Sequence, residues 1–541
     1  MSTKMKLKKH RLLIFCSSLI LTLGSCKNSS GIAQKLIDKT ITEEEIMYRP
    51  NFHFTPQKGW MNDPNGMFFL DGTYHLYYQY YPDGNIWGPM HWGHATSKDM
   101  IQWKEQAIAI YPDNNKYIFS GSAVVDTNNT SGFKNGKSTP IVAIYTLHDM
   151  DKEKEGRIDV EQQDIAFSND NGFTWQKFDE GNPVVKNPEI RDFRDPKVTW
   201  DETHKQWIMV LAAQDRVRFY KSENLKKWEF ISDFGNNIGA HGGVWECPDF
   251  FEMRVEGSNE TKWVLIQSLN PGGANGGSGT QYFIGDFDGT HFVLDSNFSK
   301  KVQNGQGVWI DYGKDNYAGV TWNNISSNDG RKLFIGWMSN WDYSQKVPTF
   351  TWRGSTTIAR EIRLINKANG YYLVSNPVKE LNNYISKTIK KKNLIDKEKV
   401  VIVQPKEIDL TQAVIEFNLE NIKKDGYHFT LSNAIGESLT FGINTINNYL
   451  FIDRSKSGKI DFSEKFASSI SKVNLDEIQT SANFKIILDK TSIELFYNNG
   501  EKVMTEIFFT NKPFNTLTAS SKEGIDLSTI LINQLKTNQK N

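Results

Sequence analysis

A short phrase recurs along the first half of this chain. Ser97-Lys98-Asp99-Met100-Ile101-Gln102-Trp103 returns as Ser168-Asn169-Asp170-Asn171-Gly172-Phe173-Thr174-Trp175, and again as Ser222-Glu223-Asn224-Leu225-Lys226-Lys227-Trp228. Each copy is a turn leading to a tryptophan. Each follows a strand-like run: His94-Ala95-Thr96, Asp164-Ile165-Ala166-Phe167 and Arg218-Phe219-Tyr220-Lys221. A unit repeated every 50–75 residues or so reads as a blade, long for four strands but with room for loop insertions. From Tyr48 to about Gly370, short runs such as Tyr74-His75-Leu76-Tyr77-Tyr78 and Trp207-Ile208-Met209-Val210-Leu211 are separated by Gly, Asn and Asp clusters. Helical periods are absent, so the chain is expected to be all-β, with a five-bladed β-propeller over residues 48–370.

The chain has 541 residues, which suits one large and one modest domain. Composition shifts toward Lys, Asn and Ile over 371–397, which reads as a linker. Strands resume over 398–541, as in Ala413-Val414-Ile415-Glu416-Phe417, Phe484-Lys485-Ile486-Ile487-Leu488 and Ser492-Ile493-Glu494-Leu495-Phe496-Tyr497, with a hairpin signal at Asn498-Asn499-Gly500. That segment fits a β-sandwich with no catalytic role. At the other end, Lys4, Lys6, Lys8, Lys9 and Arg11 precede an apolar stretch from Leu12 to Leu23. The stretch is short for a membrane span and right for a signal peptide over 1–25. Its ending, Gly24-Ser25-Cys26, resembles the lipobox of bacterial lipoproteins. That implies cleavage before Cys26, lipidation of Cys26 and a polar tether over 26–47, with the protein held outside the cytoplasm on a bacterial membrane, periplasmic or at the cell surface. Cys16 is then lost and Cys26 used, which leaves Cys247 with no partner for a disulfide. No Cys/His cluster has zinc-ligand spacing, and neither a metal nor a cofactor is expected.

Lys+Arg and Asp+Glu both number 63, so the formal net charge is zero. A nucleic-acid partner, which needs a basic surface to displace phosphate counterions, is excluded. Three acidic segments carry the chemistry: Trp60-Met61-Asn62-Asp63-Pro64-Asn65-Gly66, Phe193-Arg194-Asp195-Pro196 and Trp245-Glu246-Cys247-Pro248-Asp249. Each sets a carboxylate among turn formers and aromatics. Paired carboxylates flanking a bond are the equipment for cleaving a glycosidic link. The 15 Trp and 20 Tyr suit surfaces that stack on sugar rings.

These three segments, in this order and spacing, resemble glycoside hydrolase family 32, the invertase, inulinase and levanase group. Trp87-Gly88-Pro89-Met90-His91-Trp92-Gly93-His94, Phe119-Ser120-Gly121-Ser122, Tyr282-Phe283-Ile284-Gly285-Asp286-Phe287 and Ile335-Gly336-Trp337-Met338 extend the likeness. The resemblance implies a five-bladed propeller carrying a C-terminal sandwich. It also implies a retaining β-fructofuranosidase acting on levan- or inulin-type fructans and fructo-oligosaccharides, and on sucrose, exo-acting with release of fructose. Endo-levanase action is the alternative, and an inactive lipid-anchored fructan-binding protein the alternative from another class. Asp63 is implied as nucleophile, Glu246 as general acid/base and Asp195 as transition-state stabiliser. Asn62, Gln79, Trp87, Phe119, Ser120, Arg194 and Trp337 are implied to bind the sugar, with Trp60 and Trp309 weaker candidates and Asp249 unassigned. A nucleophile needs polar, hydrogen-bonded surroundings to stay ionised. The acid needs a raised pKa, for which Trp245 and Pro248 offer an apolar setting.

Overall fold

The structure, a computed structural model, describes residues 43–44 and 46–537. The leader and Cys26 lie outside the described residues. Residues 59–377 form five antiparallel sheets. Their innermost strands, one per blade in chain order, are Gly59–Leu70, Lys116–Val125, Phe193–Asp201, Val244–Arg254 and Tyr317–Thr321. Each inner strand neighbours the next, and the fifth neighbours the first, so the sheets close into a five-bladed propeller. Closure uses the main chain: Trp352–Arg353 pairs in parallel with Gly59 and Trp60, and Phe68 forms a parallel bridge with Asn323.

The recurring phrase is the hairpin between the third and fourth strands of blades one to three. The serine Oγ accepts from the two-on backbone N–H of Asp99, Asp170 or Asn224, and from that of Met100, Gly172 or Leu225 at the bend. Those three bend residues have φ of 64°, 86° and 61°, the left-handed region where a short polar neighbour must satisfy the backbone. Each tryptophan N–H then donates to the carbonyl of the bend residue at 3.1 Å. Between blades, inner faces interlock through aromatics such as Phe219 edge-on to Phe250 at 5.0 Å. Burying each such ring contributes about 1.5–3 kcal/mol.

Residues 385–535 form one ten-stranded hydrogen-bonded array folded into a sandwich. Its hinge is the long strand Thr516–Leu535, whose start pairs with Gly426–Ser432 and whose end pairs with Gln412–Glu420. Phe417, Phe429, Phe441 and Phe484 pack between the layers. The expected linker over 371–397 is largely strand. Gly370–Pro377 is the outer strand of blade five, and Ile385–Val403 is a sandwich strand. Only residues 378–384 join them. Ile385–Val403 pairs on one side alone, and lysines on such an edge discourage pairing with other chains. That edge chemistry produced the composition shift.

Two buried ionic networks fasten the sandwich to the propeller. In one, His53 bonds Asp489 through Nδ1 and Glu494 through Nε2, both at 2.8 Å, while Arg360 bonds Glu494 and Asp311. In the other, Arg454 bonds Asp315 at 2.6 Å and Glu506 at 2.8 Å, under the Tyr343 hydroxyl. Burial lowers the His53 pKa, but Asp489 and Glu494 outweigh it and push it up to about 9. A cation with a raised pKa stabilises the fold below its unfolded value near 6.5, and that contribution is lost as pH rises through the folded value. The melting temperature of the wild-type chain is therefore expected to fall between pH 6.5 and 9.5. In His53→Gln the slope over that window should flatten, measured by calorimetry at matched ionic strength.

Candidate active site

All five inner strands carry the same irregularity near the same end. In each, two residues oppose one on the neighbouring strand. The pairs are Asn62-Asp63 against Gln79, Phe119-Ser120 against Thr146, Asp195-Pro196 against Leu211, Cys247-Pro248 against Gln267, and Ala318-Gly319 against Gly336. Asp195, Cys247 and Ala318 have φ of 66°, 48° and 53°, the left-handed turn of a bulge residue. A bulge bends the strand, re-aims a side chain and frees backbone groups from the ladder. Here freed amides are taken by the adjacent blade. Gly121 N–H donates to Asn65 Oδ1 at 3.1 Å, Asp195 N–H to Thr146 Oγ1 at 2.9 Å and Cys247 N–H to Asp195 Oδ2 at 3.0 Å. The Tyr317 hydroxyl closes the series by donating to Glu246 Oε2 in a very short hydrogen bond.

The bulges bring the three carboxylates of blades one, three and four together. Ser120 Oγ donates to Asp63 Oδ2 at 2.8 Å. The Cys247 thiol lies 3.6 Å from Asp63 Oδ2 and 3.6 Å from Asp195 Oδ2. Arg194 reaches Glu246 at 3.4 Å, Asp192 at 3.1 Å and Glu161 at 2.7 Å. The second oxygen of Asp63, Oδ1, has no hydrogen-bond partner among the described residues.

Crowding and burial set the protonation. Burial pushes Asp63 up, opposed by hydrogen bonds from Ser120, Asn62 and Cys247. Asp195 is pushed up to about 8, first by burial, with Glu246 and Asp63 adding and Arg194 opposing. Burial also raises Glu246, against the pull of Arg194 and Tyr317. The Cys247 thiol is raised well above its usual value by burial and by all three carboxylates, so it is a neutral donor rather than a nucleophile. Burial pushes Glu161 upward too, yet Arg194 and His148 hold it down to about 2 and so keep an anion behind Arg194. The apolar setting expected for Glu246 from Trp245 is different in fact. Neighbouring strand residues face opposite ways, and Trp245 packs inside blade four against His241 and Phe283. Tyr317 and Arg194 are the groups in contact with Glu246.

The other expected residues divide clearly. Asn62 is buried and accepts from the Trp60 indole at 2.7 Å. Gln79 opposes the Asn62-Asp63 bulge and ties blade one to blade two through Ile118 O at 3.1 Å. Trp87 and Phe119 meet edge to face, and Phe119 stacks on His148 at 4.4 Å. Trp337 sits among Trp60, Trp341 and Tyr317, and its indole N–H has no partner among the described residues. These rings form one apolar cluster with Cys247 beside the carboxylates. Trp309 belongs to the blade-four core instead. Sequence reasoning passed over Tyr317, Thr146, Glu161 and His148. Only Tyr317 had a local sign, the Ala318-Gly319 pair inside a strand-like run, which marks a bulge.

A propeller whose axial end gathers three carboxylates, a half-buried arginine and an aromatic wall is built to cleave glycosidic bonds. Residues 53–377 match the model of the glycosyl hydrolases family 32 N-terminal domain, and residues 380–537 match that of the family 32 C-terminal domain. The chain belongs to glycoside hydrolase family 32 and is a glycoside hydrolase of that family. It is 45% identical over 492 residues to the levanase of Bacillus subtilis, covering 90% of this chain and 70% of the relative. It is 37% identical over 489 residues to the extracellular exo-inulinase of Aspergillus awamori, covering 85% and 89%. It is 35% identical over 542 residues to the invertase of Schwanniomyces occidentalis, covering 93% and 96%. The crystal structure of the A. awamori exo-inulinase superposes with a TM-score of 0.81 at 33% identity, over 91% of this chain and 98% of that one. The S. occidentalis fructofuranosidase complexed with fructose gives a TM-score of 0.81 at 35% identity, over 91% and 99%.

The Tyr317 hydroxyl stabilises the ionised form of Glu246. Tyr317→Phe should therefore raise the Glu246 pKa further and move the alkaline limb of kcat/KM to higher pH. An alkaline limb that stays in place across a pH series would contradict this coupling.

Proposed function

We propose that this chain is a retaining β-fructofuranosidase that hydrolyses levan- and inulin-type fructans and sucrose. The observation that carries the reading is the convergence of Asp63, Asp195 and Glu246 at aligned bulges, with one thiol between the two aspartates. Asp63 attacks the anomeric C2 of a terminal fructosyl unit and forms a covalent fructosyl-enzyme. Its free Oδ1 and its Ser120 and Cys247 donors fit a carboxylate that must ionise and reach the sugar. Glu246, whose pKa burial raises, gives its proton to the departing oxygen. As a carboxylate it then takes a proton from the water that releases fructose. Asp195 bonds ring hydroxyls as positive charge develops on the ring. Arg194, backed by Glu161, fixes Glu246 and offers a further contact to the sugar. Asn62, Gln79 and Ser120 supply polar contacts, while Trp87, Phe119 and Trp337 form the walls.

The relatives named exo-inulinase support exo-action with release of fructose. Several of those relatives are named extracellular, and with the basic-apolar leader ending at Gly24-Ser25-Cys26 this supports an extracytoplasmic enzyme anchored by lipid on Cys26. Incorporation of labelled palmitate that persists in Cys26→Ala would sink the anchor.

Asp63→Asn keeps the shape of the side chain and removes the nucleophile. It should lower kcat on inulin and sucrose by roughly 10³-fold or more while leaving the melting temperature close to that of the wild type. Residual activity within a factor of about ten would rule out the assignment.

A further inference from the structure

The propeller has a second mouth. Past the bulges of blades two to five the chain runs on, and residues four to six positions further line a separate cavity of about 630 Å³: Val124, Trp200, Met253 and Trp322. At the rise of a strand this is roughly 13–20 Å from the carboxylates. The axis between is plugged. Asp249 is fully buried and accepts from Thr321 N at 2.6 Å and Oγ1 at 2.8 Å, with Lys197 Nζ 3.1 Å away. This plug accounts for Asp249, and it separates the two mouths.

The chemistry of the distal cavity is specific. Its lining carries four carboxylates and four cations, so its charge is balanced and selects neither an anion nor a cation. The remaining polar groups are hydroxyls and amides, among them Thr199, Asn128 and Asn323. Trp200 is partly exposed there, its indole N–H held by Glu202 Oε2 at 2.6 Å and its ring set edge-on against Trp207 at 5.0 Å. An anchored, partly exposed indole is a platform for the apolar face of a sugar ring, and paired donors and acceptors around it read hydroxyls. The volume falls in the range of ligand sites for small molecules.

We propose that this cavity is a second oligosaccharide-binding site, which takes a neutral segment of fructan chain on Trp200. It holds the polymer to the enzyme while chain ends are cut at the opposite mouth. That the sugar is a fructan rests on the function proposed above.

The test is calorimetric titration of a short inulin-type oligosaccharide into the full chain carrying Asp63→Asn. Two further variants are made on that background: Trp200→Ala, which removes the platform, and Asn128→Trp, which fills the cavity from its exposed rim. Melting temperatures are recorded for all three. Two molecules bound per chain in Asp63→Asn and one in each double variant is the expected result. The same stoichiometry in all three overturns the distal site and leaves the proposed function standing. No binding to Asp63→Asn overturns the distal site as well. Whether the proposed function falls with it is read separately, from hydrolysis of inulin by the wild-type chain.

Discussion

Asp63 and Asp195 each hold an oxygen 3.6 Å from the sulfur of Cys247, and Glu246 precedes that cysteine in the chain. Like charges this close, partly withdrawn from water, cannot all be ionised at once. The rest of the site manages that conflict. Cys247 stays a thiol and bridges the aspartates. Arg194 balances Glu246, and Glu161 holds Arg194 from behind. The consequence is that burial and mutual repulsion push all three carboxyls up, Asp195 to about 8. Acid chemistry needs the protonated state at one carboxyl and not at its partner.

The scaffold for the crowding is backbone rather than side chain. Five bulges at one level turn their residues toward the axis, and hydrogen bonds across neighbouring blades lock them in place. The two ionic networks around Arg360 and Arg454 hold the sandwich at the flank of the propeller. Among the described residues the active-site contacts come from the blades. The Lys197–Asp249 pair and Thr321 close the axis beneath the carboxylates and so give the propeller two independent ends.

Much of this was legible in the sequence. The Ser-to-Trp phrase reported the blade hairpins because each serine caps a left-handed bend. The three acidic segments reported the site because each places its carboxylate in or beside a bulge that holds Pro or Asn. Other features were hidden for physical reasons. Lysines protecting the edge of Ile385–Val403 looked like a linker. Trp245, adjacent to Glu246, points the other way because strand residues alternate faces. Tyr317 lies 71 positions from Glu246 and meets it only through blade closure. Glu161 and Thr146 sit in ordinary strand text, and nothing local distinguishes them.

The central claim is that Asp63 forms a covalent intermediate with a fructosyl unit, which Glu246 then releases with the anomeric configuration retained. The most direct measurement adds methanol to a fructan digest and follows the earliest transfer product by NMR. Retention through two displacements predicts methyl β-fructofuranoside. Methyl α-fructofuranoside, or α-configured fructose as the first product, would mean a single inverting displacement and would contradict the account.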